Sequence, residues 1–362
     1  MSSGPETSLV DLRLHHSSHR PLLAEVPVSK ATLARVDAVV VPAARPVQWL
    51  REAMKLAKEL GTGLLVLCSK GLTAAEAASL ADNLNVPAVA VDVAHNRHCL
   101  PAFTSTRLLE NWGFLHSSDT SLKRNLALYI ARLASWKRVF FLDDDITNIQ
   151  PVVAQAAVGL LDGFEVVGLD NIGYPDNSVV CHVHRVLGGE QAQFIGGGGM
   201  AVAATRGSSF FPEIYNEDWF YMLGTGVPLR VAVTGQMTQK YHDPFADAGR
   251  AHFEELGDCL AEGLFWLLDH GLTIDCADEA HWQEFLGRRG YFIGHLHTEV
   301  ANGQLDPDVA KKFMTSLDSA WRKWIEATSI SVRSLSAGGE SISKSGGRLS
   351  RSCRSASISQ TH

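Results

Sequence analysis

Apolar positions along this chain fall into short continuous runs that alternate with helical stripes. Asp37 to Val41 (DAVVV) is a β-branched run closed by Pro42, which reads as a strand. After AARP, the stretch VQWLREAMKLAKEL places Trp49, Leu50, Met54, Ala57 and Leu60 near one helical face, and Gly61-Thr62-Gly63 ends it. LLVLC (Leu64 to Cys68) is the next strand. SKGLTAAEAASLADNL follows as a helix with Thr73 as its N-cap, and VPAVAVDV (Val86 to Val93) is a third strand. This alternation predicts a parallel α/β sheet with right-handed crossovers. Such sheets bind ligands beyond the carboxyl ends of their strands, where Arg45, Ser69, Lys70 and Asp92 fall.

A looser segment over 95–119 leads to SLKRNLALYIARLASW, a helix with Leu126, Tyr129, Ile130 and Leu133 expected inward. Lys123 and Arg124 occupy its first turn, against the helix dipole. They are either solvated surface cations or groups that meet an anion such as a diphosphate. The helix runs into RVFFLDDDIT, a buried strand that stops at Asp143, Asp144 and Asp145. Three adjacent carboxylates repel one another unless a cation or donors compensate. Strand alternation would put Asp143 and Asp145 on one side, a pair suited to Mg²⁺; a solvated acidic turn would carry the same residues.

Beyond it, Val152 to Gly163 reads as a helix, Phe164 to Asp170 as a strand, and SVVCHVHRVL (Ser178 to Leu187) as another strand. Gly196 to Gly199 then form a four-glycine run. Met200-Ala201 follows it, so a Walker phosphate loop is excluded; the run is either flexible or the lining of a substrate pocket, the reading favoured here. FFPEIYNEDWFYML carries Glu217 and Asp218 among aromatics. A carboxylate there is suited to proton abstraction, and the same pair suits a helix start capped by Asn216. VPLRVAVTG is a strand, with His242 and Asp243 just after it; His242 is structural unless other ligands converge on it. Ala248 to Gly271 and Pro307 to Ala327 are helical by periodicity.

Composition narrows the function classes. The 362 residues are 46% hydrophobic and 20% charged with net charge -7, which suits a soluble globular protein and argues against nucleic acid as partner. Six scattered cysteines never form a C-x-x-C pair, so a zinc cage or disulfide scaffold is not expected. No apolar run reaches membrane-spanning length and MSSGPETSLVDLRLHH lacks a signal peptide's apolar core, so a cytoplasmic location is expected. His15, His16 and His19 receive no role. The expected organisation is a flexible segment over 1–35, a main domain over 36–275, a helical extension over 276–328 and a disordered Ser/Arg-rich tail over 329–362.

With these pieces in order, the chain resembles the GT-A nucleotide-sugar glycosyltransferases, especially the large inverting family. SLKRNLALYIARLASWKRVFFLDDDI is similar to that family's basic-x-Asn helix leading into its LDxD strand, the DxD motif, and YNEDWF to its acceptor-side ED motif. The likeness runs from about Asp37 to Asp243. It implies a Rossmann-like, mixed and mainly parallel sheet flanked by helices, and a metal-dependent transfer of sugar from a nucleotide-diphosphate donor to an acceptor hydroxyl. It further implies Mg²⁺ or Mn²⁺ at Asp145, with Asp143 contacting the nucleotide or sharing the metal, Asp144 assisting there, and His242 as a third metal ligand. Lys123 and Arg124 would meet the diphosphate or nucleotide, Asp92 and Ser69 the base and ribose. Asp218, or else Glu217, would be the general base. The first strand ends in VPAARP, without the acidic residue common there. A sugar-phosphate nucleotidylyltransferase would open with a Gly-rich, Arg-containing loop that is missing here. A phosphotransfer receiver domain would be shorter, with its acidic pair on the first strand. A catalytically silent GT-A-like binding protein stays open.

Overall fold

The computed structural model describes residues 14–93, 100, 103–114, 118–175, 177–205, 209–224 and 228–338. Chain order begins with β1 (Ala24–Glu25), β2 (Ala38–Ala43), α1 (Arg51–Leu60), β3 (Gly63–Cys68), α2 (Ala74–Leu84) and β4 (Ala88–Asp92). Gly61 closes α1 in the left-handed conformation, φ +61°, where a Cβ would be strained. Thr73 caps α2 in a reciprocal box with Glu76. There follow α3 (Thr104–Asn111), α4 (Thr120–Leu133), β5 (Arg138–Leu142), β6 (Ile146–Thr147), α5 (Pro151–Leu160), β7 (Val166–Asn171), α6 (Val179–Val186) and β8 (Gly199–Ala203). The chain continues with α7 (Glu217–Met222), β9 (Val231–Gln239), α8 (Ala248–Asp269), α9 (Glu279–Asn302) and α10 (Pro307–Gly338).

The strands run in the order β1-β9-β7-β8-β5-β2-β3-β4, with β6 paired to β9. All neighbours along that order pair parallel except β8, which is antiparallel to both β5 and β7. This is the mixed, mainly parallel sheet flanked by helices that the resemblance implies. Alternation divides the core. Val39, Val41, Phe140 and Leu142 pack with α1, α2 and α5, whereas Val40, Val139 and Phe141 pack with α4 and α7. Both faces are covered, which is why these strands read as continuous apolar runs. A separate cluster joins α6, α8, α9 and α10. Among the described residues no helix is long and apolar enough to cross a membrane.

The structure departs from the expected elements at several points. Ser178 to Leu187 is helical, not a strand: the Ser178 hydroxyl caps α6 by accepting from Cys181 N at 3.4 Å, and Val179, Val180 and Val183 pack against Phe292, Ile293 and Phe313. Packing there overrides the β-branched preference. The inward face of α4 is rolled from the expected one. Tyr129 and Leu133 are exposed, while Leu122, Leu126, Ala127 and Ala131 are buried together with the polar Lys123, Arg124 and Asn125. Finally, the backbone of α10 continues to Gly338, into the stretch whose composition predicts disorder. Residues 14–35, grouped with a flexible segment by composition, here place β1 beside β9 and bury His19; residues 1–13 lie outside the described ones.

Candidate active site

β5 ends at Leu142, and Asp143 to Ile146 form a turn closed by Ile146 N donating to Asp143 O at 3.2 Å. Strand alternation therefore does not extend to the carboxylates. Asp144 accepts from the backbone N–H groups of Ala44 and Arg45, both at 3.0 Å, and pairs with the Arg45 guanidinium. Asp145 Oδ2 accepts from Arg45 Nη2 at 3.0 Å and from Gln239 Nε2 at 3.3 Å. The two acids that share a cation are thus Asp144 and Asp145, not Asp143 and Asp145. Desolvation, then the charge of Asp143, raises Asp145 to about 6 against the pull of Arg45. Burial also raises Asp143, although Arg124 opposes it.

Arg124 joins this turn to the second acidic pair. Its side chain is 3% exposed; Nη2 donates to Asp143 at 3.1 and 3.3 Å, and Nη1 pairs with Glu217. The buried Nε has no hydrogen-bond partner. Desolvation pushes Glu217 up to about 7 even so. The glycine run is shaped around this arginine. A Cβ on Gly197 would come within 2.2 Å of the guanidinium, and Gly197 N donates to Asp218 Oδ2 at 2.5 Å. Close approach of the backbone, rather than positive φ, requires glycine there.

The loop before α7 is held to α4 by a double bond pattern: Asn125 Nδ2 donates to Phe211 O at 2.7 Å and Phe211 N to Asn125 Oδ1 at 2.9 Å. Ser121 donates to Pro212 O at 2.7 Å. Asn216 stands at the start of α7 as expected but does not cap it. Its backbone is left-handed, φ +62°, and its amide donates to Asp258 Oδ1 at 3.1 Å. The result is a cavity of about 210 Å³ with Ser121, Arg124, Asp143, Gly197, Glu217 and Asp218 in its lining. A smaller cavity of about 50 Å³ shares Asp218 and adds Trp219. A larger groove of about 760 Å³ lies between β1, β9 and α5 and holds neither acidic pair of the site; we place the chemistry in the 210 Å³ cavity because the charged groups converge there.

The remaining candidate residues are dispersed. Lys123 is 1% exposed and gives its ammonium to Ala43 O at 2.8 Å, Ser69 Oγ at 2.7 Å and Asp119 Oδ1 at 3.0 Å. It locks the ends of β2 and β3 to α4, and three partners match its three donors. Ser69 is thereby engaged in the interior. Asp92 accepts from Ala74 N at 2.8 Å and holds the first turn of α2. His242 is half-buried beside Tyr174, with ring centroids 4.6 Å apart, and its Nδ1 is buried without a hydrogen-bond partner. Desolvation, then the charges of Arg250 and Arg45, lower it to about 4. Asp143, Asp145 and His242 do not converge as three ligands. Among the described residues, the triads of ligand atoms within 4.8 Å of one another are His15–Cys181–Glu262 and His16–His19–Asp269.

The donors at the turn still fit a hard divalent cation: they are carboxylate oxygens, Asp145 is held in a setting that disfavours an uncompensated charge, and His242 offers a free buried nitrogen. Arg45 supplies that positive charge instead. Sequence reasoning placed Arg45 at the strand end without a role, and missed Gln239, which Asn171 Nδ2 orients through Gln239 Oε1 at 2.8 Å. It also missed Trp49, whose ring lies 5.3 Å from the Arg45 guanidinium and 4.2 Å from Lys240 Nζ.

No family model matches the chain, and no curated protein sequence does. Among solved structures, the mannosyltransferase from Pyrobaculum calidifontis in complex with GDP-Man and Mn²⁺ is similar over 83% of this chain and 90% of its own, at 12% identity and TM-score 0.41. Glucosyl-3-phosphoglycerate synthase from Mycobacterium tuberculosis with Mn²⁺, UDP and glucosyl-3-phosphoglycerate is similar over 69% of this chain and 88% of its own, at 17% identity and TM-score 0.37. The same enzyme with phosphoglyceric acid is similar over 66% and 81%, at 16% identity and TM-score 0.39.

Proposed function

We propose that the chain is a metal-dependent glycosyltransferase that moves a sugar from a nucleotide-diphosphate donor to an acceptor hydroxyl, with inversion. One observation carries this reading: Asp143, Glu217 and Asp218 all line the 210 Å³ cavity, and Arg124 pairs with both Asp143 and Glu217. Carboxylates gathered at one cavity, one of them beside the acidic turn, suit a reaction that needs both charge stabilisation of a leaving group and a base for an attacking hydroxyl. At the acidic turn, Asp145 would hold Mg²⁺ or Mn²⁺, which supplies charge stabilisation for a departing diphosphate. Asp218 is aimed by Gly197 N and by Trp219 N at 2.9 Å, and a carboxylate keeps further lone pairs to take the acceptor proton. Glu217, committed to Arg124, positions that arginine in the cavity lining. Free Cys68, Cys181, Cys259 and Cys276 support a reducing, cytoplasmic setting.

A second reading is favoured by Arg45, whose guanidinium already balances Asp144 and Asp145. In that case the protein holds a nucleotide sugar without metal and without transfer. A thermal-shift panel of UDP, GDP, ADP and dTDP sugars, with and without Mn²⁺, separates the two. The transferase reading expects Mn²⁺-dependent stabilisation by a donor that Asp145→Ala abolishes. Equal stabilisation with and without metal, in both proteins, supports the silent binder, and no response to any donor removes both.

A further inference from the structure

Outside the cavity, the segment before β1 crosses α8 and buries His19, 3% exposed, between two acids. Its Nε2 lies 2.9 Å from Glu262 Oε2 and its Nδ1 2.5 Å from Asp269 Oδ2. A neutral imidazole carries one N–H, so its second nitrogen would turn a lone pair toward a carboxylate. Either a second proton or a cation must lie there. His16 adds a third group on the same oxygen. Its ring stacks on His19 with centroids 5.1 Å apart and planes 6° from parallel, and its Nδ1 is 3.6 Å from Asp269 Oδ2. The other oxygen, Asp269 Oδ1, is buried with no hydrogen-bond partner.

We propose that His16, His19 and Asp269 bind a Zn²⁺ ion, with water as fourth ligand and Glu262 accepting the Nε2 hydrogen of His19. The three ligand atoms already lie within 4.8 Å of one another. Two imidazoles and a carboxylate form a zinc donor set, and a carboxylate on the far nitrogen of a ligating histidine fixes its tautomer and raises its basicity. The adjoining triad of His15, Cys181 and Glu262 suits a metal less well. His15 Nε2 is bonded to Gln191, and burial pushes the Cys181 thiol up, away from the thiolate that binds metal. The His19 ring meets Trp219, the residue after Asp218, edge-on at 5.3 Å, so the ion clips the N-terminal segment to α8 beside α7.

The site is independent of the acidic turn, and the experiment keeps them apart. Untagged full-length protein, stripped with chelator, is titrated with Co²⁺ and then with Zn²⁺. One equivalent of Co²⁺ should give visible d–d absorption that Zn²⁺ abolishes, and chelator should lower the melting temperature. His16→Ala should lose the band, Glu262→Gln should weaken Co²⁺ binding by about 10- to 100-fold, and Asp145→Ala should keep it unchanged. A colourless wild type, a band undiminished in His16→Ala, or a band lost in Asp145→Ala would each overturn the proposal.

Discussion

Arg289 on α9 and Arg124 on α4 are sealed from solvent to the same degree, with side chains 2% and 3% exposed, but their donors are used differently. Arg289 grips Glu255 through Nε at 2.7 Å and Nη2 at 2.8 Å, and Nη2 also reaches Asp258 at 2.8 Å. Both acids it touches are buried on α8. Arg124 reaches Asp143, whose side chain is 30% exposed, and Glu217, yet leaves Nε without a partner beside a cavity. A closed network of this kind holds helices in register. An incomplete one, open on one side, leaves capacity for a ligand.

The largest expected effect lies on the open side. Asp218→Asn should slow sugar transfer by about 10²- to 10⁴-fold, with donor binding and melting temperature little changed. Single-turnover assays against donor-binding isotherms measure this, and full turnover by the variant removes Asp218 as the base. On the closed side, Arg289→Met should cost about 3–5 kcal/mol of stability, because Glu255 and Asp258 are left buried without a counter-charge. Arg124→Met should cost less, since water in the cavity can reach Asp143. Denaturant melts of both variants decide the point, and equal losses would erase the distinction.

The smallest effect concerns Glu254 on α8, which accepts from Val179 N at 2.8 Å and pairs with Arg250. Desolvation pushes it up to about 7 from 4.5, outweighing Arg250. Because the folded value is raised, its contribution is complete below about 4.5 and is lost as pH rises through about 7. Glu254→Gln should therefore flatten the fall in stability between pH 4.5 and 7, read from melts across that window. An unchanged slope would show that Glu254 titrates as an ordinary carboxylate.

Legibility followed the range of the interactions involved. β2, β3, β5 and β7 stand out as apolar runs because both faces of the sheet are covered there. β8 does not, since it starts from the glycine run and takes its identity from β5 and β7 on either side. α6 is disguised by its valines and becomes helical only against α9 and α10. The acidic turn and the Glu217–Asp218 pair were visible as local motifs. How they are joined was not: the Asn125–Phe211 pairing spans 86 residues, and the contact of Arg45 with Asp144 spans 99.

The placement of β1 and His19 bears on the order of assembly. His19 meets Glu262 and Asp269 across 243 and 250 residues, and β1 aligns with Ala232 and Val233 of β9. On a ribosome that segment emerges well before anything it can pair with, and pairings of such long separation form slowly. It is therefore expected to be seated late, once β9 and α8 exist. Until then the start of β9 presents an unpaired edge, the kind of edge through which growing chains join one another.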